Sequence, residues 1–332
     1  MMRSMTIFLL TIASMASTAQ ERITIEDIYQ KGIFRQRSVG GLNWLNNGGY
    51  YTAKVDSDIV KYDVKTGEMV ETILDGSALS PSISYDDYSF STDQQKILLR
   101  TNTTRIYRRS FTARYYVYDL KMETLDELSP NGEQSYATFS PDGTKVAFVR
   151  NNNLYYVDLE TRNETQVTQN GKFNEVINGS TDWVYEEELS LTRAFEWSGD
   201  SKYLFYLIFD ENDVREYNMQ RWNDGQLYPE DYRYKYPKAG EDNSILRAAM
   251  YSIENGTIAP ITFGGGEYYI ARIHQTKDPE VLSLVKLNRL QNELNILHLN
   301  VHSGDISTVY TDKSDTYIDI DFVDDLTYLD LS

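Results

Sequence analysis

A unit that returns every 46 to 58 residues constrains this chain more than any other feature of it. Each copy reads as an aromatic residue, a polar turn, then an apolar strand. The first is Trp44-Leu45-Asn46-Asn47-Gly48-Gly49 before YYTAKV, and the second is Phe90-Ser91-Thr92-Asp93 before KILLR. The clearest is Phe139-Ser140-Pro141-Asp142-Gly143 before KVAFVR, and the fourth is Trp197-Ser198-Gly199-Asp200 before YLFYLIF. A second strand ending in a turn follows each copy: IVKYDVKTGEM at 59, YYVYDLKMETL at 115, LYYVDLETRNE at 154, MYSIENGT at 250 and ILHLNVHSGD at 296. Asp or Asn next to Gly supplies the left-handed positions that a tight hairpin needs. Short alternating strands in units of roughly 40–50 residues are the signature of a β-propeller of four-stranded blades. A β-sandwich is the competing architecture, and it rarely shows so regular a spacing. The expected fold is therefore all-β, with five units and the start of a sixth at YIDIDFVDDLTYLDLS. Helical periodicity is confined to stretches near 24–31 and 182–194.

Composition agrees with that class and removes several functions. The 332 residues include 27 Tyr against 12 Phe and 4 Trp, and tyrosine suits half-buried pleated surface. Acidic residues outnumber basic ones by 50 to 32, a formal charge of −18, which argues against nucleic acid and anionic membrane surfaces as partners. There is no Cys, so disulfides, thiolate zinc sites and cysteine nucleophiles are excluded, and three His leave little for a histidine-rich metal site. No cofactor is implied.

The amino terminus reads as an export leader. Arg3 precedes a short apolar core, Met5 to Ala13, and Ser17-Thr18-Ala19 places small residues where a signal peptidase cuts. Residues 1–19 are expected to be removed, leaving a mature chain with no membrane span, periplasmic or extracellular; a buried strand or an uncleaved anchor is the alternative. Residues 20–40 then form an N-terminal segment, and 41–332 the propeller.

Two segments interrupt the repeat. The first is Asn174 to Ala194, NEVINGSTDWVYEEELSLTRA, and the second runs from Asn218 to Asn243. Long insertions in a regular repeat tend to carry binding function. In the first, Asp182 is a plausible N-cap and Trp183 to Arg193 could form about three helical turns. Glu186-Glu187-Glu188 would then lie in the first turn or two, where the helix dipole favours anions. Such a run is ordinarily solvated surface. It can also grip an ammonium, because carboxylates converging on a cation form hydrogen bonds stronger than neutral ones.

DWVYEEE, followed by RAFEWS, KYLFYLIFDENDVREYNM and YPKAG, resembles the N-terminal propeller domain of the dipeptidyl peptidase IV type, in the prolyl oligopeptidase family of serine peptidases. IYRRSFTARYYVYDL at 106–120 matches the same family, and the resemblance covers about residues 22–332. It implies an exopeptidase that releases Xaa-Pro or Xaa-Ala dipeptides from peptides with a free N-terminus. It implies that Glu187 and Glu188 bind the substrate's α-amino group, and that Arg108 contacts the carbonyl of its second residue. Arg109 is the competitor for that role, and adjacent strand residues face opposite sides, so one of the two should enter the cavity. Without the family, Arg108 reads as an ordinary surface or inter-blade salt bridge. The family propeller usually has eight blades and precedes an α/β-hydrolase whose nucleophile sits in a G-x-S-x-G elbow. No such elbow occurs here, so the chain is expected to be inactive alone, with closure and catalysis beyond Ser332. Gly199 stands where the repeat and the family usually carry Pro, a difference expected to affect turn rigidity. The 218–243 insertion resembles the family's dimer arm, with a plain surface loop as the alternative. A non-catalytic envelope propeller that binds protein or glycan is the second reading of function.

Overall fold

The recurring turns close on their own side chains. In this computed structural model, which describes residues 22–36, 42–223, 225–264, 266–320 and 326–328, Ser91, Ser140 and Ser198 each donate a hydroxyl hydrogen bond to the Asp two residues on, at 2.6, 2.5 and 2.6 Å. Each hydroxyl oxygen also accepts from the backbone N–H five residues on, at Lys96, Lys145 and Tyr203. The Ser-x-Asp pair thus holds the reversal from one strand to the next in three of the four copies, while in the first Asn47 Oδ1 accepts from Gly49 N–H instead. The leader expected over residues 1–19 lies outside the described residues, as does most of the sixth unit; residues 317–320 and 326–328 carry no strand.

Residues 22–36 belong to one unit and those from 42 onward to another. The first holds helix α1 (Ile25–Tyr29), whose Thr24 hydroxyl and Asp27 carboxylate each accept the other residue's backbone N–H, the reciprocal capping that starts a short helix.

The second unit carries 23 antiparallel strands among its described residues. The first sheet is β1 (Asn43–Trp44), β2 (Tyr50–Val55), β3 (Asp58–Asp63) and β4 (Met69–Leu74). The second is β5 (Asp87–Phe90), β6 (Lys96–Arg105), β7 (Phe111–Asp119) and β8 (Thr124–Glu127). The third is β9 (Ser135–Phe139), β10 (Lys145–Arg150), β11 (Asn153–Asp158) and β12 (Glu164–Gln166). The fourth contains β13 (Val176–Asn178), β14 (Phe195–Trp197) and β15 (Tyr203–Asp210), with helix α2 (Trp183–Glu188) between β13 and β14. A separate hairpin, β16 (Glu216–Arg221) and β17 (Glu230–Lys235), follows before β18 (Ile245–Ser252) and β19 (Ile258–Ile261) complete that sheet. The fifth is β20 (Tyr268–Gln275), β21 (Val281–Asn288), β22 (Glu293–Asn300) and β23 (Ile306–Lys313). The all-β propeller architecture with four-stranded blades stands as expected. The four aromatics of the repeat all end a blade's first strand or, at Trp197, its β14 counterpart.

The core follows from strand alternation. Successive residues point to opposite faces, and each inner blade is covered on both. Ile97 and Leu99 pack toward the first sheet while Leu98 packs toward the third. Val146 and Phe148 face the second sheet, and Ala147 and Val149 the fourth. Leu204 and Tyr206 face the third sheet, and Phe205, Leu207 and Phe209 the fifth. Double-sided burial explains why KILLR, KVAFVR and YLFYLIF are nearly continuous apolar runs.

One sequence expectation is corrected here. The segment 174–194 is not wholly extra, because Val176–Asn178 pairs with Phe209 and its neighbours and gives the fourth sheet a fifth strand. Gly199 also has a packing role: a Cβ there would lie 2.5 Å from the Cα of Pro279, in the fifth blade's β20–β21 connection. The 218–243 segment is largely the ordered hairpin. No helix among the described residues is long and apolar enough to cross a membrane, and no described group of three or more His, Asp or Glu could hold a metal ion.

Candidate functional site

Helix α2 is shorter than its sequence suggests. Asp182 caps it, accepting from Tyr185 N–H at 3.0 Å, but it ends at Glu188 rather than running to Arg193. Ser190 takes a left-handed φ of 56°, and the chain then bends back to bring Arg193 opposite Ser180 and Phe195 into β14. The blade needs its inner strand there, so tertiary pairing wins over helical continuation. The correction alters the electrostatics. With six residues, only Glu186 lies in the first turn, and Glu187 and Glu188 sit at the C-terminal end, where the dipole disfavours anions. Those two carboxylates therefore call for a cation from elsewhere.

The helix is held from three sides. The buried Asp182 carboxylate also accepts from the Ser244 hydroxyl at 2.5 Å, and burial pushes its pKa up. The buried Tyr185 ring meets Phe209 edge-on at 4.8 Å, and its hydroxyl oxygen accepts from Ile270 N–H at 3.0 Å, fastening the helix to the fifth blade. On the third side comes the β6–β7 loop, which carries Arg108 and Arg109. These arginines lie in a turn between strands, not on a strand, so alternation does not choose between them. Both reach the helix. Glu186, only 3% exposed, accepts from the backbone N–H groups of Arg109 and Ser110 at 2.6 and 2.8 Å, while the Arg109 guanidinium donates to the Glu186 carbonyl at 2.9 Å.

Each of the three glutamates thus has a different position. Glu186 is sunk into the neighbouring loop. Glu187 Oε2 stands 3.3 Å from Arg108 Nε, with the arginine side chain 70% exposed and the glutamate 15%. Glu188 is exposed and lines a cleft of about 600 Å³ with Trp183, Tyr236, Tyr269 and Arg289. The three sequence candidates Glu187, Glu188 and Arg108 therefore fall on two adjoining elements, and the structure pairs two of them directly.

The hairpin contributes a layer of aromatics that the sequence did not announce. Tyr236 packs on Trp183 at a centroid distance of 4.0 Å, and the Tyr232 and Tyr107 hydroxyls are 3.0 Å apart. The base of the hairpin thus touches both the helix and the loop residue next to Arg108. The alternation of tyrosines at 232, 234 and 236 was the available signal, since it places all three on one face.

Comparison with known proteins gives the family and the fold. The family described as the dipeptidyl peptidase IV (DPP IV) N-terminal region matches residues 91–330. Human prolyl endopeptidase FAP is 32% identical over 281 residues, covering 81% of this chain and 36% of that protein. Pig dipeptidyl peptidase 4 is 32% identical over 249 residues, covering 74% of this chain and 32% of that protein. The crystal structure of Porphyromonas gingivalis dipeptidyl peptidase 4 superimposes with a TM-score of 0.86 at 35% identity, over 91% of this chain and 44% of that one. The chain spans about a third of the length of these curated relatives.

Proposed function

Since this chain belongs to the family of dipeptidyl peptidase IV N-terminal regions, we propose that it is the part of an exported serine exopeptidase that recognises the free amino terminus of a peptide. Glu187 and Glu188 hold the α-ammonium, and Arg108 takes the carbonyl of the second residue. The observation that carries this reading is the division of labour along α2: Glu186 is consumed by backbone N–H groups, whereas Glu187 meets an exposed arginine. An ion pair this exposed contributes at most about 1 kcal/mol to stability, so folding alone gives little reason for it.

The arrangement works as a ruler. An α-amine has a pKa near ~8 and is largely protonated at neutral pH. An extended chain advances about 3.3 Å per residue, so a fixed ammonium sets the bond after residue two roughly 7 Å away. Binding strength at the amine is thereby converted into orientation at the cut. The nucleophile and the pocket for Pro or Ala belong, on this reading, to the portion of the relatives that this chain does not match. The leader at residues 1–19 supplies export, to the periplasm or the cell exterior.

The test is calorimetric titration of the chain with a tetrapeptide beginning Ala-Pro, against the same peptide N-acetylated. Preference for the free amine of tenfold or more, lost in Glu187→Gln and Glu188→Gln, is the expected result. Equal affinities would overturn the assignment and leave the non-catalytic binding propeller as the better reading.

The hairpin tip is the proposed contact for a second copy of the chain. Trp222, Leu227 and Tyr228 are 69%, 89% and 82% exposed there, and such apolar clusters on a protruding element mark association surfaces. Sedimentation of the Trp222→Ser/Tyr228→Ser double variant should show monomer where the parent shows dimer; a monomeric parent rejects this part.

A further inference from the structure

Between α2, the β6–β7 loop and the second, third and fourth blades lies a second cavity of about 600 Å³. Neither Glu187, Glu188 nor Arg108 lines it. Its walls include the aromatic side chains of Tyr107, Tyr136, Phe173 and Tyr234, together with the carboxylic side chain of Glu211, just after β15. Glu211 is only 5% exposed. Its backbone N–H donates to the Glu175 carbonyl, but among the described residues no hydrogen bond or ion pair engages its carboxylate. The lining cations are committed elsewhere. Arg150 is bound by Glu164 and Ser129, Lys172 by Glu175, and Lys235 Nζ donates to the Val214 carbonyl at 2.7 Å. A buried carboxylate without a partner is costly unless a ligand supplies one, and aromatic faces around a carboxylate attract organic cations.

We infer that this cavity is a second binding site, distinct from the Glu187–Arg108 pair, that takes an alkylammonium group such as a lysine side chain or a free diamine, with Glu211 as its counter-ion. The aromatic walls cover the alkyl stem, and the volume lies in the range of ligand pockets.

The site is pH-dependent in a definite direction. Burial, reinforced by the charge of Asp182 at the start of α2, pushes Glu211 up to about 8; Lys235 on β17 opposes the shift. Tyr107, from the β6–β7 loop, stays a neutral phenol beside it, its pKa raised by burial. Glu186, on the helix itself, is closed off by Arg109 and Ser110. Cation binding needs the ionised carboxylate, so affinity rises with pH until Glu211 is ionised. From pH 6 to pH 8 the ionised fraction, and with it the affinity, increases by about tenfold or more.

The experiment titrates the full chain with Nα-acetyl-lysine-N-methylamide, its norleucine analogue and cadaverine, at pH 6 and 8. The probes carry no free peptide amino terminus, and the Glu187→Gln variant separates binding here from binding at the Glu187–Arg108 pair. The blocked lysine or cadaverine should bind at least about tenfold tighter than the norleucine analogue, more tightly at pH 8. The stronger of the two identifies the source as a peptide side chain or a free amine. Glu211→Gln should lower that affinity about tenfold and abolish its pH dependence, while Glu187→Gln leaves it unchanged. Norleucine binding equal to lysine, affinity flat between pH 6 and 8, unchanged binding in Glu211→Gln, or no binding of either amine below ~10 mM would each overturn the inference. The pH series on the parent chain decides the matter even where the variant fails to fold.

Discussion

Replacing Glu186 by Ala is the sharpest probe of the way the site is assembled. The carboxylate accepts two backbone N–H groups, from Arg109 at 2.6 Å and Ser110 at 2.8 Å, and is nearly inaccessible to solvent. Hydrogen bonds to a charged group contribute about 1.5–3 kcal/mol each, and removing the acceptor leaves both donors without their partner. The expected loss is therefore about 3–5 kcal/mol, large among single substitutions. With a urea slope of about 3 kcal/mol/M, the unfolding midpoint should fall by more than about 1 M. Hydrogen exchange gives the local counterpart: the amides of Arg109 and Ser110 should be protected in the parent and exchange rapidly in the variant. Because the same loop carries Arg108, preference for a free peptide amine should also fall, although Glu186 touches no peptide in this scheme. A loss under 1 kcal/mol together with unchanged protection at 109 and 110 would refute the anchoring argument. Glu187→Gln serves as the internal contrast, since its partner is exposed and its removal should cost less than about 1 kcal/mol.

Arg108→Ala should likewise leave the melting temperature within a few degrees of the parent while reducing peptide affinity at least about tenfold; a large stability loss would show the residue to be structural. Gly199→Ala should destabilise by about 1–3 kcal/mol, measured by urea unfolding, because its Cβ would meet the Pro279 Cα at 2.5 Å and force the two blades apart. Glu211→Gln should stabilise the chain increasingly as pH rises. The folded-state pKa of about 8 lies above the ordinary 4.5, so the protonated form is favoured on folding. Its stabilisation is complete below pH 4.5 and is lost as pH climbs through 8, by about 3–5 kcal/mol in all. Unfolding midpoints for parent and variant that keep a constant separation between pH 5 and pH 8.5 would disprove it.

Local chemistry made the fold legible from the sequence alone. Ser91/Asp93, Ser140/Asp142 and Ser198/Asp200 close their turns within five residues, so the pattern that builds each reversal is written contiguously. The apolar runs beside them announce strands covered on both faces. The DWVYEEE string marked where a carboxylate cluster would sit, since a cap, two aromatics and three acids are all local. What the string could not say was which acid would be buried, where the helix would stop, or that Glu187 would face Arg108. Those outcomes depend on contacts with the second and fifth blades, from residues some 80 positions away, and on the need for Phe195 to rejoin the sheet. Gly199 and Glu211 teach the same lesson: a turn residue and an ordinary acid in sequence, they become a point of blade contact and a buried carboxyl without a partner only once distant strands close around them. Hydrogen bonding within a turn is fixed by neighbours along the chain, whereas burial is fixed by whatever the rest of the chain brings against it.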